Sequence, residues 1–296
     1  MPELLKASAE YIDSSYQPEK HKDYRLSIQL RLDGFSFAYF EPYSMSLLML
    51  QDYRLSYNSN QNTQEKWQEI NEYFVHHLDH FSIHKSNFAE LIISIDHKEY
   101  SLACSALFKD QQQEEALLFN QSIPYSFHTL NTAMAGTERN LLFAIPKIIH
   151  STLEDYFGDI KTIHCAGILE NTIHKRHKNK KLGFQVYVNI SNRDLHILVM
   201  ENDHLLFHNA FSYTSKEDFI YFILLVYDQL HLNAEETPLT FMGDLSRSSA
   251  IFGITWQYIR NISFINQCEG IALNSSFDQM PIHQYFILLQ STLCES

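Results

Sequence analysis

Two stretches of period-two hydrophobic alternation constrain this chain more than any other feature. In the first, Leu26, Ile28, Leu30 and Leu32 alternate with Arg25, Ser27, Gln29 and Arg31. Successive side chains of a strand point to opposite faces, so the run reads as a half-buried strand. Asp33-Gly34 follows, and then Phe35, Phe37 and Tyr39 alternate with Ser36 and Ala38. An Asp-Gly pair between two alternating runs is the strongest short-range hairpin signal. A third strand over 44–50 turns the group into a meander. The second stretch holds three strands, 184–190, 194–201 and 204–211, joined by tight turns at Ser191-Asn192 and Asn202-Asp203.

A helix follows each meander. Trp67, Ile70, Phe74, Leu78 and Phe81 step by three or four and predict a helix over 62–81. Ser215 and Asp218 form a capping box ahead of the stripe Phe219, Phe222, Ile223, Val226, Tyr227 and Leu230. Strands and helices then alternate in both halves. The first half has strands over 88–95, 100–108, 140–145 and 161–165. Its helices cover 112–119, the stretch from Pro146 to the stop at Gly158, and 167–178. The second half has strands over 239–242 and 262–264, a helix over 248–259 and a closing helix or strand over 282–293. Residues 1–23 are polar and mixed, and read as an extended arm or a loosely docked lead-in. The division expected is an N-terminal arm (1–23), a first half (24–181) and a second half (182–296). No repeat is visible at the level of residues, so the duplication is inferred from element order alone.

Composition narrows the activities. Only 8 of 296 residues are glycine, where a typical chain of this length carries roughly 20. There is no Walker loop, no G-x-G-x-x-G and no G-x-S-x-G. Lys+Arg is 22 and Asp+Glu is 35, a net charge of −13. Such a surface repels phosphate backbones and anionic lipid, so nucleic-acid binding needs a local basic patch. The aromatic content (Phe 21, Tyr 17, Trp 2) predicts a large aromatic core. Cys104, Cys165, Cys268 and Cys294 are far apart with no C-x-x-C pair, as expected of reduced thiols in a cytoplasmic protein. The N-terminal residues lack the apolar region of a signal peptide, and the longest strongly apolar run, 219–227, is too short to span a bilayer.

The doubled order of strand-strand-strand-helix-strand-helix resembles the actin-like ATPase fold, a duplicated ribonuclease-H-like α/β architecture with two mixed-sheet halves. Particular residues sharpen the likeness: Leu195-His196-Ile197-Leu198-Val199-Met200, His204-Leu205-Leu206-Phe207-His208-Asn209-Ala210-Phe211, Glu217-Asp218-Phe219-Ile220-Tyr221-Phe222-Ile223-Leu224, Asp228-Gln229-Leu230-His231-Leu232-Asn233 and Leu239-Thr240-Phe241-Met242-Gly243. Over about 20–294, and most specifically over 183–243, the chain is similar to an uncharacterised bacterial domain-of-unknown-function family, family 3822. That resemblance implies a fold and no established activity.

In actin-like ATPases each meander presents a turn to the nucleotide phosphates, with a D-x-G pattern whose carboxylate holds magnesium and whose glycines let amides reach phosphate. Here the first turn is Leu32-Asp33-Gly34-Phe35-Ser36-Phe37. Asp and Gly are adjacent, and phenylalanines stand where small residues are usual. If nucleotide binds, Asp33 is the magnesium carboxylate and Gly34 a phosphate amide; otherwise the pair is a type I′ hairpin turn and nothing more. The second turn, Asn189-Ile190-Ser191-Asn192-Arg193-Asp194, has no glycine, and Ser191 and Asn192 are what it offers. The adenosine-side loop, Met242-Gly243-Asp244-Leu245-Ser246, keeps one glycine, Gly243, which equally suits a turn and helix cap. Three degraded loops together predict that hydrolysis, and with it nucleotide binding, has been lost.

Other constellations are weaker. His76, His80 and His84 share i, i+4, i+8 spacing, with His77 adjacent, but there is no H-E-x-x-H and Phe81-Ser82-Ile83 ends the helix before His84. Solvated or capping roles are expected, and no metal site. Lys175, Arg176, Lys178, Lys180 and Lys181 fall within eight residues, 174–181. They form either an anion contact or a solvated linker with positive charge at a helix C-terminus. Cys104 and Cys165 read as packing residues, and nothing marks a nucleophile. The expectation is therefore a non-catalytic, pseudo-ATPase interaction or scaffold protein with no catalytic residue and no cofactor. Its expected partner is a protein rather than DNA or a membrane. The alternatives are an ATP–Mg-binding protein with atypical loops, using Asp33, Gly34, Ser191, Asn192 and Gly243, and an RNA-associated factor using 174–181.

Overall fold

The computed structural model describes residues 4–57, 61–104, 112–134 and 138–294. Six strands form the first sheet: β1 (Ala9–Ile12), β2 (Arg25–Arg31), β3 (Gly34–Glu41), β4 (Ser46–Arg54), β5 (Glu90–Asp96) and β9 (Thr162–His164), in the order β1-β4-β3-β2-β5-β9. The meander β2–β4 is antiparallel, and β5 and β9 add parallel to β2. The helices of this half are α1 (Thr63–Phe81), α2 (Gln113–Asn120), α3 (Lys147–Phe157) and α4 (Cys165–His177). A separate antiparallel sheet, β6-β8-β7, is made from β6 (Tyr100–Cys104), β7 (Phe127–Ala133) and β8 (Arg139–Pro146).

The second half repeats the plan. β10 (Phe184–Ser191), β11 (Asp194–Glu201), β12 (His204–Ser212), β13 (Leu239–Gly243) and β14 (Ile262–Phe264) lie in the order β12-β11-β10-β13-β14. Position for position this is β4-β3-β2-β5-β9. Again the meander is antiparallel and the last two strands are parallel. α5 (Lys216–Gln229), α6 (Ala250–Tyr258) and α7 (Phe286–Ser291) complete the chain. The duplicated mixed α/β architecture is therefore present in the topology itself. The chain divides into two compact units, Met1–Ile168 with Glu269–Met280 and Leu288–Ser296, and Leu169–Cys268 with Pro281–Ile287.

Local chemistry explains the elements. Asn62 accepts from the Glu65 amide while the Glu65 side chain returns to the Asn62 amide, which starts α1. Trp67, Ile70, Phe74 and Leu78 are its buried stripe. Ser215 and Asp218 cap α5 in the same reciprocal way. In the second unit Val186, Val188, Ile190, Leu195, Ile197 and Val199 meet Phe219, Ile223 and Phe241 in one core. Each such residue, fully buried, contributes about 1.5–3 kcal/mol.

Three readings change. First, β2 is not half-buried. Ser27, Gln29 and Arg31 are buried like Leu26, Ile28 and Leu30, and the two long polar side chains find partners there: Gln29 Nε2 donates to Asp96 at 3.1 Å and Arg31 Nη2 to Asp52 at 2.7 Å. Second, the N-terminal lead-in is not loosely docked. β1 pairs with β4, and His21 stacks on Tyr39 and Phe88. Third, β7 lies in a stretch for which the sequence pattern predicts no element. The end of the strand expected over 100–108 lies outside the described residues after Cys104.

Candidate functional site

The first meander turn is the natural place to look for chemistry. Arg31 pairs with Gly34 across the hairpin, so its corner residues are Leu32 and Asp33, not Asp33 and Gly34. Neither corner residue has positive φ, which excludes the type I′ turn. Gly34 carries φ +147° instead, and a Cβ there would lie 1.9 Å from the carbonyl oxygen of Tyr53 on β4. The glycine is required by the neighbouring strand.

Asp33 is held by arginine on both oxygens. Arg31 Nε donates to Oδ1 at 3.2 Å, and Arg54 Nη1 donates to Oδ2 at 2.6 Å. The same two guanidinium groups reach Asp52, Arg31 Nη2 at 2.7 Å and Arg54 Nε at 2.8 Å. Ser36 Oγ accepts from Arg31 Nη1 at 2.7 Å and donates to Asp52 at 2.5 Å. The result is a closed ring of two cations and two anions. The Arg31 and Asp52 side chains are only 6% and 5% exposed. Burial alone would raise both carboxyl pKa values. The adjacent arginines outweigh it, lowering Asp33 and bringing Asp52 to about 2. A magnesium ion at Asp33 would have to displace Arg54 and leave two cations competing for one carboxylate. The sequence pattern gives no sign of the ring, because Arg31 sits in the polar register of its strand, and Asp52 and Arg54 on the third.

The second unit brings Ser191, Asn192 and Gly243 close together, at the adjacent ends of β10 and β13. Asn192 turns the β10–β11 hairpin with φ 54°, a conformation asparagine tolerates. Tyr213 ties this turn down: its amide donates to the Arg193 carbonyl at 2.9 Å. Gly243 pairs with Ile190, and a Cβ there would lie 2.0 Å from the Ile190 oxygen. The Asp244 amide donates to the same oxygen at 2.8 Å. Both glycines thus serve close approaches of chain to chain.

The basic run divides in two. Lys175 and Arg176 are in the last turn of α4; Lys178, Lys180 and Lys181 follow it. Lys175, Lys178, Lys180 and Lys181 are exposed and Arg176 is half-buried. His177, in their midst, is buried, with Nε2 2.8 Å from the Tyr187 hydroxyl. The histidines of α1 diverge. His77 is buried 4.3 Å from the Tyr53 ring and 5.1 Å from Phe37, and burial pushes its pKa down to about 3. His84 lies beyond the helix, stacked on Tyr156. Cys165 is buried, which raises its thiol pKa. None of the four cysteines is in a disulfide.

A family model described as a protein of unknown function (DUF3822) matches residues 13–262. The crystal structure of a Bacteroides thetaiotaomicron VPI-5482 protein with an actin-like ATPase fold and unknown function is similar at TM-score 0.75 and 19% identity. The match covers 95% of this chain and 100% of that one. The PilM–PilN type IV pilus biogenesis complex is similar at TM-score 0.54 and 12% identity, covering 91% of this chain and 97% of the other. These likenesses establish the actin-like ATPase fold. No protein of curated function matches the chain in sequence. Among the described residues no helix is long and apolar enough to cross a membrane.

Proposed function

We propose a non-catalytic role for this chain, which belongs to the family of proteins of unknown function DUF3822. It keeps the actin-like ATPase fold as a scaffold for protein–protein interaction in the bacterial cytoplasm, without ATP and magnesium. The observation that carries this reading is the ring at the first turn. The carboxylate that resembles a magnesium ligand has both oxygens engaged by Arg31 and Arg54. The two retained glycines have close neighbours that account for them. Four cysteines outside any disulfide suit a reducing compartment. One structural relative is itself part of a complex, PilM with PilN.

Thermal unfolding with and without Mg-ATP tests the proposal. A ligand that binds only the folded state raises Tm by mass action. The expected result is no shift at millimolar Mg-ATP; a rise of several degrees would restore the nucleotide-binding alternative, with Asp33, Gly34, Ser191, Asn192 and Gly243 as its contacts. The exposure of Lys175, Lys178, Lys180 and Lys181 keeps a second reading in play, RNA association. Salt-dependent RNA retention that is lost on charge reversal of Lys178, Lys180 and Lys181 would favour it.

A further inference from the structure

We infer that the open edge of β7 and the groove beside it form a docking site for an extended segment of a partner protein, one with alternating apolar and basic side chains. This deepens the interaction reading by giving it a surface and a partner chemistry. β7 is the edge of the sheet β6-β8-β7, and among the described residues it pairs only with β8. The Lys147 amide donates to the Ser126 carbonyl and the Met134 amide to the Arg139 carbonyl, both at 2.9 Å. These bonds set the phase of the ladder. Hydrogen-bonded residues alternate along an antiparallel pair, so 128, 130 and 132 face β8. Residues 127, 129, 131 and 133 turn their N–H and C=O groups outward.

Natural sheet edges are usually blunted by lysine, proline or a bulge. β7, Phe-His-Thr-Leu-Asn-Thr-Ala, has no lysine, proline or carboxylate, and its register with β8 is unbroken. Beside it lies a groove of about 460 Å³, walled by Leu130 and Asn131 of β7, Leu153 and Glu154 of α3, and Asp159 and Ile160 of the following loop. An open strand edge facing a helix across a groove is the arrangement that accepts a peptide as an added strand. Main-chain hydrogen bonds give affinity, and alternate side chains enter the groove. Leu130, Leu153 and Ile160 offer apolar contacts. Glu154, 63% exposed, and Asp159 outnumber Lys161 among the charged side chains of the lining. The chemistry fits a segment that alternates aliphatic with lysine or arginine residues.

Fluorescence anisotropy on the full chain, at about 0.15 M salt to screen unspecific charge attraction, tests the inference. The probes are a labelled hexapeptide of alternating valine and lysine, its D-enantiomer, and the valine–glutamate counterpart. The L valine–lysine peptide is expected to saturate, with Kd about tenfold or more below the other two. Asn131→Pro removes one outward N–H and leaves the backbone ladder to β8, losing besides only the exposed side-chain bond from Asn140, and is expected to weaken binding about tenfold. Glu154→Lys, at an exposed helical position that leaves the fold intact, is expected to weaken it several-fold. No saturable binding, equal binding of the D-peptide, or indifference to both substitutions would overturn the inference. So would sedimentation showing a dimer that Asn131→Pro dissolves, because the occupant would then be a second copy. A Tm rise with Mg-ATP alongside intact peptide binding would remove the non-catalytic reading and leave the groove standing.

Discussion

Asp33 and Asp52 share the same two arginines. Each guanidinium spans the pair: Arg54 has Nη1 2.6 Å from Asp33 and Nε 2.8 Å from Asp52, and Arg31 has Nε 3.2 Å from Asp33 and Nη2 2.7 Å from Asp52. The turn that resembles a phosphate loop is thereby closed by charges from β2, β4 and the hairpin corner. Such a ring is weak evidence for net stability, since desolvating four charges offsets much of their attraction. It is strong evidence that none of the four can leave without consequence.

Removing single members should therefore separate buried from half-exposed partners. Arg31→Met removes the more buried guanidinium, whose side chain is 6% exposed, and leaves two carboxylates sharing Arg54 alone within the ring; it should destabilise the fold by about 3–5 kcal/mol. Arg54→Ala removes a side chain that is 25% exposed, where water takes over part of its role, and should cost about 1–2 kcal/mol. Urea unfolding gives both numbers. Equal costs would mean the ring is not the buried unit described.

The acid limb of stability should have two windows. His77 titrates near 6.5 when unfolded and near 3 when folded. The unfolded chain thus takes up a proton first, and stability falls as pH drops below about 6.5, by up to about 1.4 kcal/mol per pH unit for each such histidine. His21, His177 and His283 are also lowered by burial and add to this limb. Asp52 works lower. Its folded pKa is about 2, so its contribution is complete above the unfolded value near 4 and is lost as pH falls toward 2. His77→Phe should flatten the urea-midpoint profile between pH 6.5 and 4, and Asp52→Asn only below pH 4. The reverse assignment of windows would refute the burial argument for His77.

Helix starts offer a cleaner measure, because their determinants are local. Asn62 and Ser215 each accept from the amide three residues on, within a reciprocal capping box. Asn62→Ala and Ser215→Ala should each cost about 1 kcal/mol by urea unfolding. A negligible cost at both would mean that tertiary packing alone sets those helix starts.

That contrast also explains what was legible from residues alone. The Ser215–Asp218 box, the Trp67–Phe74–Leu78 stripe and the second meander are written in neighbouring residues, and they fold as they read. The ring was not legible. Period two shows that Arg31 and Leu30 face opposite ways, but not that a polar face is exposed, and Arg31 is buried because Asp52 lies beside it from β4. β7 carries no clean alternation: Phe127, Leu130 and Ala133 fall three apart. β1 is four residues long and owes its existence to the waiting edge of β4. The ring and β1 escaped the one-dimensional pattern because a partner well along the chain fixes them, and β7 because its pairing with the neighbouring β8, not its own alternation, makes it a strand.

Glycine substitution separates structural from ligand-binding reasons for the two retained turns. Gly34 and Gly243 both have positive φ, and an added Cβ would meet backbone oxygen at 1.9 Å and 2.0 Å. Backbone cannot rotate away as a side-chain tip can, so Gly34→Ala and Gly243→Ala should each destabilise by about 3 kcal/mol or more. Gly253 lies within α6, and a Cβ added there would have no atom within 4 Å. There Gly253→Ala should stabilise by about 0.5–1 kcal/mol, by lowering the entropy of the unfolded chain. The opposite signs, read from urea midpoints, distinguish two reasons for keeping glycine. A glycine retained to admit phosphate would lose ligand affinity on conversion to alanine and keep its fold. Gly34 and Gly243 are predicted to lose the fold, because the atoms nearest to them belong to Tyr53 and Ile190.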